Sequence, residues 1–172
     1  MNRKGISAIM VSLILLAVSL GMAIAYASTM MGWFSGAINI VKIDASESKI
    51  ILSPSNNKAR IQIVLRNTGT TTIKISKIEI DTEKSNEKAN ITFSPNNGAT
   101  INLTNSLQFG QIYGSSKDVV VDADNKLLIP QGCVATIYFE INSQGDWKIG
   151  NIYRAVIFYD GGIIDFKIIV VY

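Results

Sequence analysis

Apolar and polar positions divide the chain near residue 41. From Ile6 to Val41 there is no Asp, Glu, Lys or Arg, whereas from Lys42 onward charges, Asn, Ser and Thr mix with short apolar runs. Two different solvents are implied. As an α-helix, Ile6 to Phe34 spans roughly 44 Å at 1.5 Å per residue, more than the roughly 30 Å hydrocarbon core of a bilayer. The pattern predicts a hydrophobic helix over 6–36. Arg3, Lys4 and the α-amino group precede it, so the positive-inside bias keeps the N-terminus in the cytoplasm and sends the remainder outside. Within the helix the small residues form rows, with Ala17, Gly21, Ala25 and Thr29 every four residues and Ser19, Ala23 and Ala27 beside them. Such small-xxx-small rows let helices approach closely.

Over 37–172 the apolar period changes to two-residue alternation, the mark of half-buried strands. Ile61, Ile63 and Leu65 alternate with Arg60, Gln62 and Arg66, and Cys133, Ala135, Ile137, Phe139 and Ile141 alternate with Val134, Thr136, Tyr138 and Glu140. Turn signals at Ser53–Asn57, Asn67–Gly69, Ser94–Gly98, Pro130–Gly132 and Asp160–Gly162 leave room for eight to ten short strands. Ile73 and Ile75 have the opposite parity to Ile78 and Ile80, which predicts a β-bulge near Ser76–Lys77. No helix is suggested here. The expected fold class is a long N-terminal α-helix followed by an all-β, immunoglobulin-like antiparallel sandwich without that family's disulfide. The C-terminal hairpin has more apolar residues than one buried face needs. Ile164, Phe166, Ile168, Val170 and Tyr172 fill one side and Ile163, Ile169 and Val171 the other, so Ile163, Ile169 and Val171 are candidate subunit contacts.

Composition then removes most chemistry. The chain has no His and a single Cys, which excludes Ser-His and Cys-His nucleophiles, His-containing zinc sites and an intramolecular disulfide. Cys133 is in phase with a core strand face and reads as a small buried residue, with a reactive thiol or intermolecular bridge as the alternative. No Gly-rich phosphate loop or dinucleotide fingerprint occurs. No catalytic, cofactor-binding or metal site is expected. Asp118, Asp122 and Asp124 fall at a turn, where Asp hydrogen-bonds its own backbone, a loosely held cation being the lesser reading.

The formal charge of +3 nearly vanishes once Arg3 and Lys4 are set aside. Lys58, Arg60, Arg66, Lys74 and Lys77 are dispersed along strands, so nucleic-acid binding has no support. Two acceptor triplets, Asn90-Ile91-Thr92 and Asn102-Leu103-Thr104, make Asn90 and Asn102 candidate N-glycosylation sites.

The run Arg3-Lys4-Gly5-Ile6-Ser7 resembles the class III leader of archaeal type IV pilins and archaellins, a short basic stretch ending in Gly before an apolar helix. The resemblance implies cleavage of Gly5–Ile6 by a membrane aspartyl prepilin peptidase, removing 1–5 as a leader peptide. It implies assembly of the retained helices into a filament core by an ATPase and a membrane platform protein. Bacterial type IV pilins usually carry Glu at the fifth mature position. Met10 stands there in this chain, which favours the archaeal branch. The β-region is similar to the β-domains of the same family at Asn67–Gly69, Pro130–Gly132 and Tyr153–Tyr172.

The function expected from the resemblance is a structural, non-enzymatic subunit of an extracellular adhesion filament. Its partners would be identical copies, and its precursor would sit in the membrane with its N-terminus inside. An archaellin, or a secreted or membrane-anchored β-sandwich binding module, is the alternative. The last draws on a rival reading of the same residues, in which Arg3 and Lys4 form an n-region, Ile6 to Gly21 an h-region, and Ala25-Tyr26-Ala27 a signal-peptide cleavage site before Ser28. Cutting there would leave Thr29 to Val41 as an exposed apolar start.

Overall fold

The computed structural model describes residues 3–37, 40–53, 58–84, 87–96, 98–103, 106–142 and 145–172, with helix side chains from residue 8 to residue 32. The chain forms two compact units, Met1–Asn39 and Ile40–Tyr172.

The first unit is one helix, α1 (Arg3–Ala37). Its 35 residues give roughly 52 Å of axis, and it begins before the expected 6–36 boundary, so the Gly5–Ile6 bond lies inside its N-terminal turns. A helix that is apolar on every side needs hydrocarbon or a packed core around it. Four of its hydroxyls are satisfied by the helix's own carbonyls. Ser12 and Ser28 donate to the carbonyls of Ala8 and Ile24, and Ser19 and Thr29 to those of Leu16 and Tyr26. These bonds leave no hydroxyl donor of the four facing an apolar solvent.

The second unit contains β1 (Ile43–Asp44), β2 (Lys49–Ser53), β3 (Lys58–Asn67), β4 (Ile73–Asp81), β5 (Lys88–Ser94) and β6 (Gly98–Leu103). It continues with β7 (Ser106–Gly114), β8 (Val120–Val121), β9 (Leu127–Ile129), β10 (Val134–Asn142), β11 (Ile152–Tyr159) and β12 (Gly162–Val171). Among the described residues twelve strands replace the expected eight to ten, three of them, β1, β8 and β9, only two or three residues long. As expected, the described residues of this unit include no helix.

The strands form one continuous sheet rather than two separate ones. The hydrogen-bonded order β11-β12-β2-β3-β10-β7-β6-β5-β4 returns on itself through β4–β11 pairing, giving a closed, barrel-like circuit. β2 bonds β3 and β12 together, the latter in parallel over Ile169–Val171, and β6 joins β5 to β7, so the circuit closes. Every other pairing is antiparallel, between consecutive strands and between distant ones alike.

The bulge falls where parity placed it. Phe158 pairs with Lys77 while Tyr159 pairs with Ile75, leaving Ser76 as the extra residue. Ser76 donates its hydroxyl to Phe158 O at 3.1 Å. Beyond this point β4 changes partner along one edge, from β9 at Ile73–Ile75 to β5 at Lys77–Asp81. The slip keeps Ile73, Ile75, Ile78 and Ile80 all buried.

Alternation fills the barrel with Ile61, Ile63 and Leu65 of β3 and Ala135, Ile137 and Phe139 of β10, all fully buried. Cys133 shares their parity but precedes β10 and is only half-buried. On β7 most of the large apolar residues face outward. A side chain at Gly110 would lie 2.4 Å from the Phe139 ring, so that ring occupies the interior space there, and β7 carries Leu107, Phe109 and Tyr113 outside while Ile112 packs against the core.

Asn67 joins two turns. Its amide donates to Thr71 O at 2.7 Å and Ile129 O at 2.9 Å, and its Oδ1 accepts from Gly69 N. Its backbone N–H donates to Cys133 O, and Gly132 donates to its carbonyl, so the Asn67–Gly69 and Pro130–Gly132 turns are clamped together. A Cβ on Gly69 would meet Ile40 O at 2.1 Å, because the incoming Ile40–Lys42 segment bonds directly to Thr68 and Thr70.

Candidate functional site

The candidate site is a set of surfaces rather than a cleft. Among the described residues no group of three or more His, Cys, Asp or Glu could hold a metal ion. Asp122 instead accepts the backbone N–H groups of Asp124 and Lys126 through Oδ1, closing the β8–β9 turn in which Asn125 takes a positive φ. Asp118 hydrogen-bonds Ser116. These local bonds give both carboxylates a turn-forming role.

The first surface is α1. Ala8–Gly32 is long and apolar enough to cross a membrane by length and composition, as a signal sequence also is. Ala17, Gly21, Ala25 and Thr29 lie along one side of it, all exposed. Apart from the helix's own adjoining backbone, no atom comes within 4 Å of where a Gly21 Cβ would stand, so the helix has space at Gly21 for the close approach of a second helix. Arg3, Lys4, Gly5 and Ile6 lie in the helix's first turns, and their side chains fall outside the described residues.

The second surface is the outer face of the terminal hairpin. Ile163 and Ile169 are exposed and Val171 is half-buried, whereas Ile168 and Val170 are buried. Ile169 pairs with Ile152, a further exposed apolar residue that the sequence reading missed. Tyr172, expected on the inner side, is exposed beyond the end of β12.

A third surface was also missed. Leu107, Phe109 and Tyr113 stand outward along β7 at 61%, 62% and 56% exposure. Gln111 lies between them and accepts the Tyr113 hydroxyl, so the strip carries no charge.

The two sequon asparagines, twelve positions apart in sequence, meet on the exposed face of β5 and β6 as register partners. Asn102 in turn faces Leu107 of β7. Thr104 lies outside the described residues.

One polar network ties the start of β11 to the loop after β4. Tyr153 donates its hydroxyl to Glu83 Oε2 at 2.6 Å and accepts from the Lys148 backbone N–H at 3.0 Å. Lys148 Nζ lies 2.6 Å from Glu83 Oε1. The Lys148 ammonium, then the Tyr153 hydroxyl, hold the Glu83 carboxyl below its ordinary range. Burial, then the neighbouring carboxylate, push the Tyr153 phenol up. These bonds give the Glu83, Lys148 and Tyr153 side chains a structural role, tying the start of β11 to the loop after β4.

Compared with known proteins, the chain matches no protein-family model and no curated protein.

Proposed function

We propose that this chain is the structural subunit of an extracellular archaeal type IV pilus-like filament, with α1 in a helix-bundle core and the β-unit outside, serving adhesion or surface attachment. The observation that carries the reading is α1 itself. A helix that opens on Arg3-Lys4-Gly5 and is uncharged from Ile6 onward, with small residues along Ala17, Gly21, Ala25 and Thr29, suits a membrane before assembly and identical helices afterwards. The class III leader belongs to this proposal, with Gly5–Ile6 as the bond cut and a prepilin peptidase, an assembly ATPase and a platform protein as partners.

The immunoglobulin-like reading of the β-unit is part of the proposal, and the pairings support it. In that fold strands A, B, E and D form one sheet and C, F and G the other. Taking β2, β3 and β4 as A, B and C, β7 as D, and β10, β11 and β12 as E, F and G gives β2-β3-β10-β7 and β4-β11-β12 in the right order. Tyr153, at the start of β11, accepts a hydrogen bond from the backbone five residues upstream, as the tyrosine of that fold's E–F corner bonds backward. The β8–β9 hairpin is then an insertion, and the parallel β2–β12 pair and β6 join the two layers into a closed circuit.

The experiment is to shear the surface of cells making the full chain. Fibres recovered in the sheared fraction should contain this chain as their main component. Recovery only in the membrane fraction, or as soluble monomer in the medium, would overturn the reading.

A further inference from the structure

The apolar strip on β7 and the outer face of the β11–β12 hairpin occupy opposite points of the closed circuit. Passing through β10, β3 and β2, or through β6, β5 and β4, the same number of strands separates β7 from the hairpin. Identical patches related by a two-fold axis close into a dimer, whereas two different complementary patches on opposite sides join copies head to tail, into a ring if the rotation closes and an open fibre if it does not.

The two surfaces differ in shape and charge. The hairpin carries a hollow of about 370 Å³ lined by Ile152, Arg154, Asp165, Phe166 and Lys167. Arg154 and Asp165 are ion-paired at 2.8 Å, and Lys167 pairs with Arg154 across the strands, so the rim is cationic. β7 presents a protruding ring, Phe109, with Leu107 and Tyr113 beside it and no charged residue from Ser106 to Gly114. An aromatic face is attracted to ammonium and guanidinium groups while its edge fills an apolar floor. The occupant that fits the hollow is therefore an uncharged aromatic knob, and this chain carries one facing the other way.

We infer that Phe109 of one copy seats in the Ile152–Arg154–Lys167 hollow of the next, a heterologous contact between β-units that repeats along the assembly. It rests on the filament reading and names the surfaces through which the outer units touch. It also gives the exposed Ile152 and Ile169 a partner within the fibre.

The test uses the full chain, assembled by its own cells, with Phe109→Cys and Ile152→Cys in the same molecule and Cys133→Ser in every variant, so that no other thiol is present. Mild oxidation of sheared fibres should give a ladder of disulfide-linked multimers on a non-reducing gel, while either single variant stays monomeric. Fibres without a ladder would overturn this contact and leave the filament reading intact. Dimers from Phe109→Cys alone would mean like patches meet and would overturn it as well. If the unmodified chain forms no fibres at all, the filament reading fails and this contact with it. A second variant guards against a cysteine pair that disturbs export. Phe109→Lys sets a cation against Arg154 and Lys167 and should lower fibre yield about tenfold or more, and an unchanged yield would contradict the assignment.

Discussion

Asn90 and Asn102 stand directly opposite each other on the exposed face of β5 and β6. Cross-strand partners have Cβ atoms only about 4.5–5.5 Å apart, too close for two branched glycans to leave side by side without crowding. Glycosylation should therefore occupy one site per molecule. Intact-mass analysis of native material is expected to show a single glycan distributed between the two, with Asn90→Gln raising occupancy at Asn102. Doubly modified chains would contradict this, and unmodified chains throughout would end the sequon reading.

Asn67 predicts a large stability loss from one polar substitution. It is almost fully buried, with its amide and carbonyl oxygen all bonded within the turn pair. Asn67→Ala leaves two carbonyls and one N–H seeking partners, and each unsatisfied buried group costs about 1–3 kcal/mol. Urea denaturation should place the variant about 3 kcal/mol below the parent, with Thr68→Ala, at an exposed position, much closer to it.

Acid should destabilise the β-unit in a defined way. Glu83 and Glu79 have carboxyls held below the usual glutamate value of 4.5, the first chiefly by Lys148 and the second chiefly by Lys77. A depressed folded value means the unfolded chain takes up the proton first. The stabilisation is thus complete above pH 4.5 and is lost as pH falls through the folded values. Melting temperature should stay level near neutrality and drop below pH 4.5, with Glu83→Gln showing a shallower fall. On the alkaline side Tyr153 and Lys148, both raised, keep their contribution below pH 10 and lose it above. An unchanged acid slope in Glu83→Gln would remove Glu83 from the account.

Gly21 separates insertion from assembly. Apart from the helix's own adjoining backbone, nothing lies within 4 Å of its missing Cβ, so Gly21→Leu fits the helix and adds apolar surface to α1. Membrane recovery should be unchanged, while fibre yield falls about tenfold or more because the small row can no longer admit a neighbouring helix. Normal fibres would show that this side of α1 faces no partner.

Local patterns carried much of the fold. The run Ala135-Ile137-Phe139-Ile141 marked β10, and the parity slip between Ile75 and Ile78 marked the bulge at Ser76. Parity also placed Ile163, Ile169 and Val171 on the outer face of the hairpin. Closure was not legible, since nothing local in Val156 or Glu79 tells β11 to pair with β4, and nothing in Ile50 or Val170 announces a parallel pair. Alternation also fails to say which side of a strand is inside. On β7 Leu107 and Phe109 face outward because Phe139 fills the space over Gly110, a long-range fact absent from the segment itself. Ile152 was missed for a related reason, as its exposure shows only once Ile169 is its partner.

The central claim depends on which bond of α1 is cut. The most direct measurement is the N-terminal mass and sequence of the mature protein from native fibres or membranes. The filament account predicts a chain beginning at Ile6, with the leader through Gly5 removed and the uncharged helix retained. A chain beginning at Ser28, after Ala25-Tyr26-Ala27, or one that keeps Met1, would contradict it.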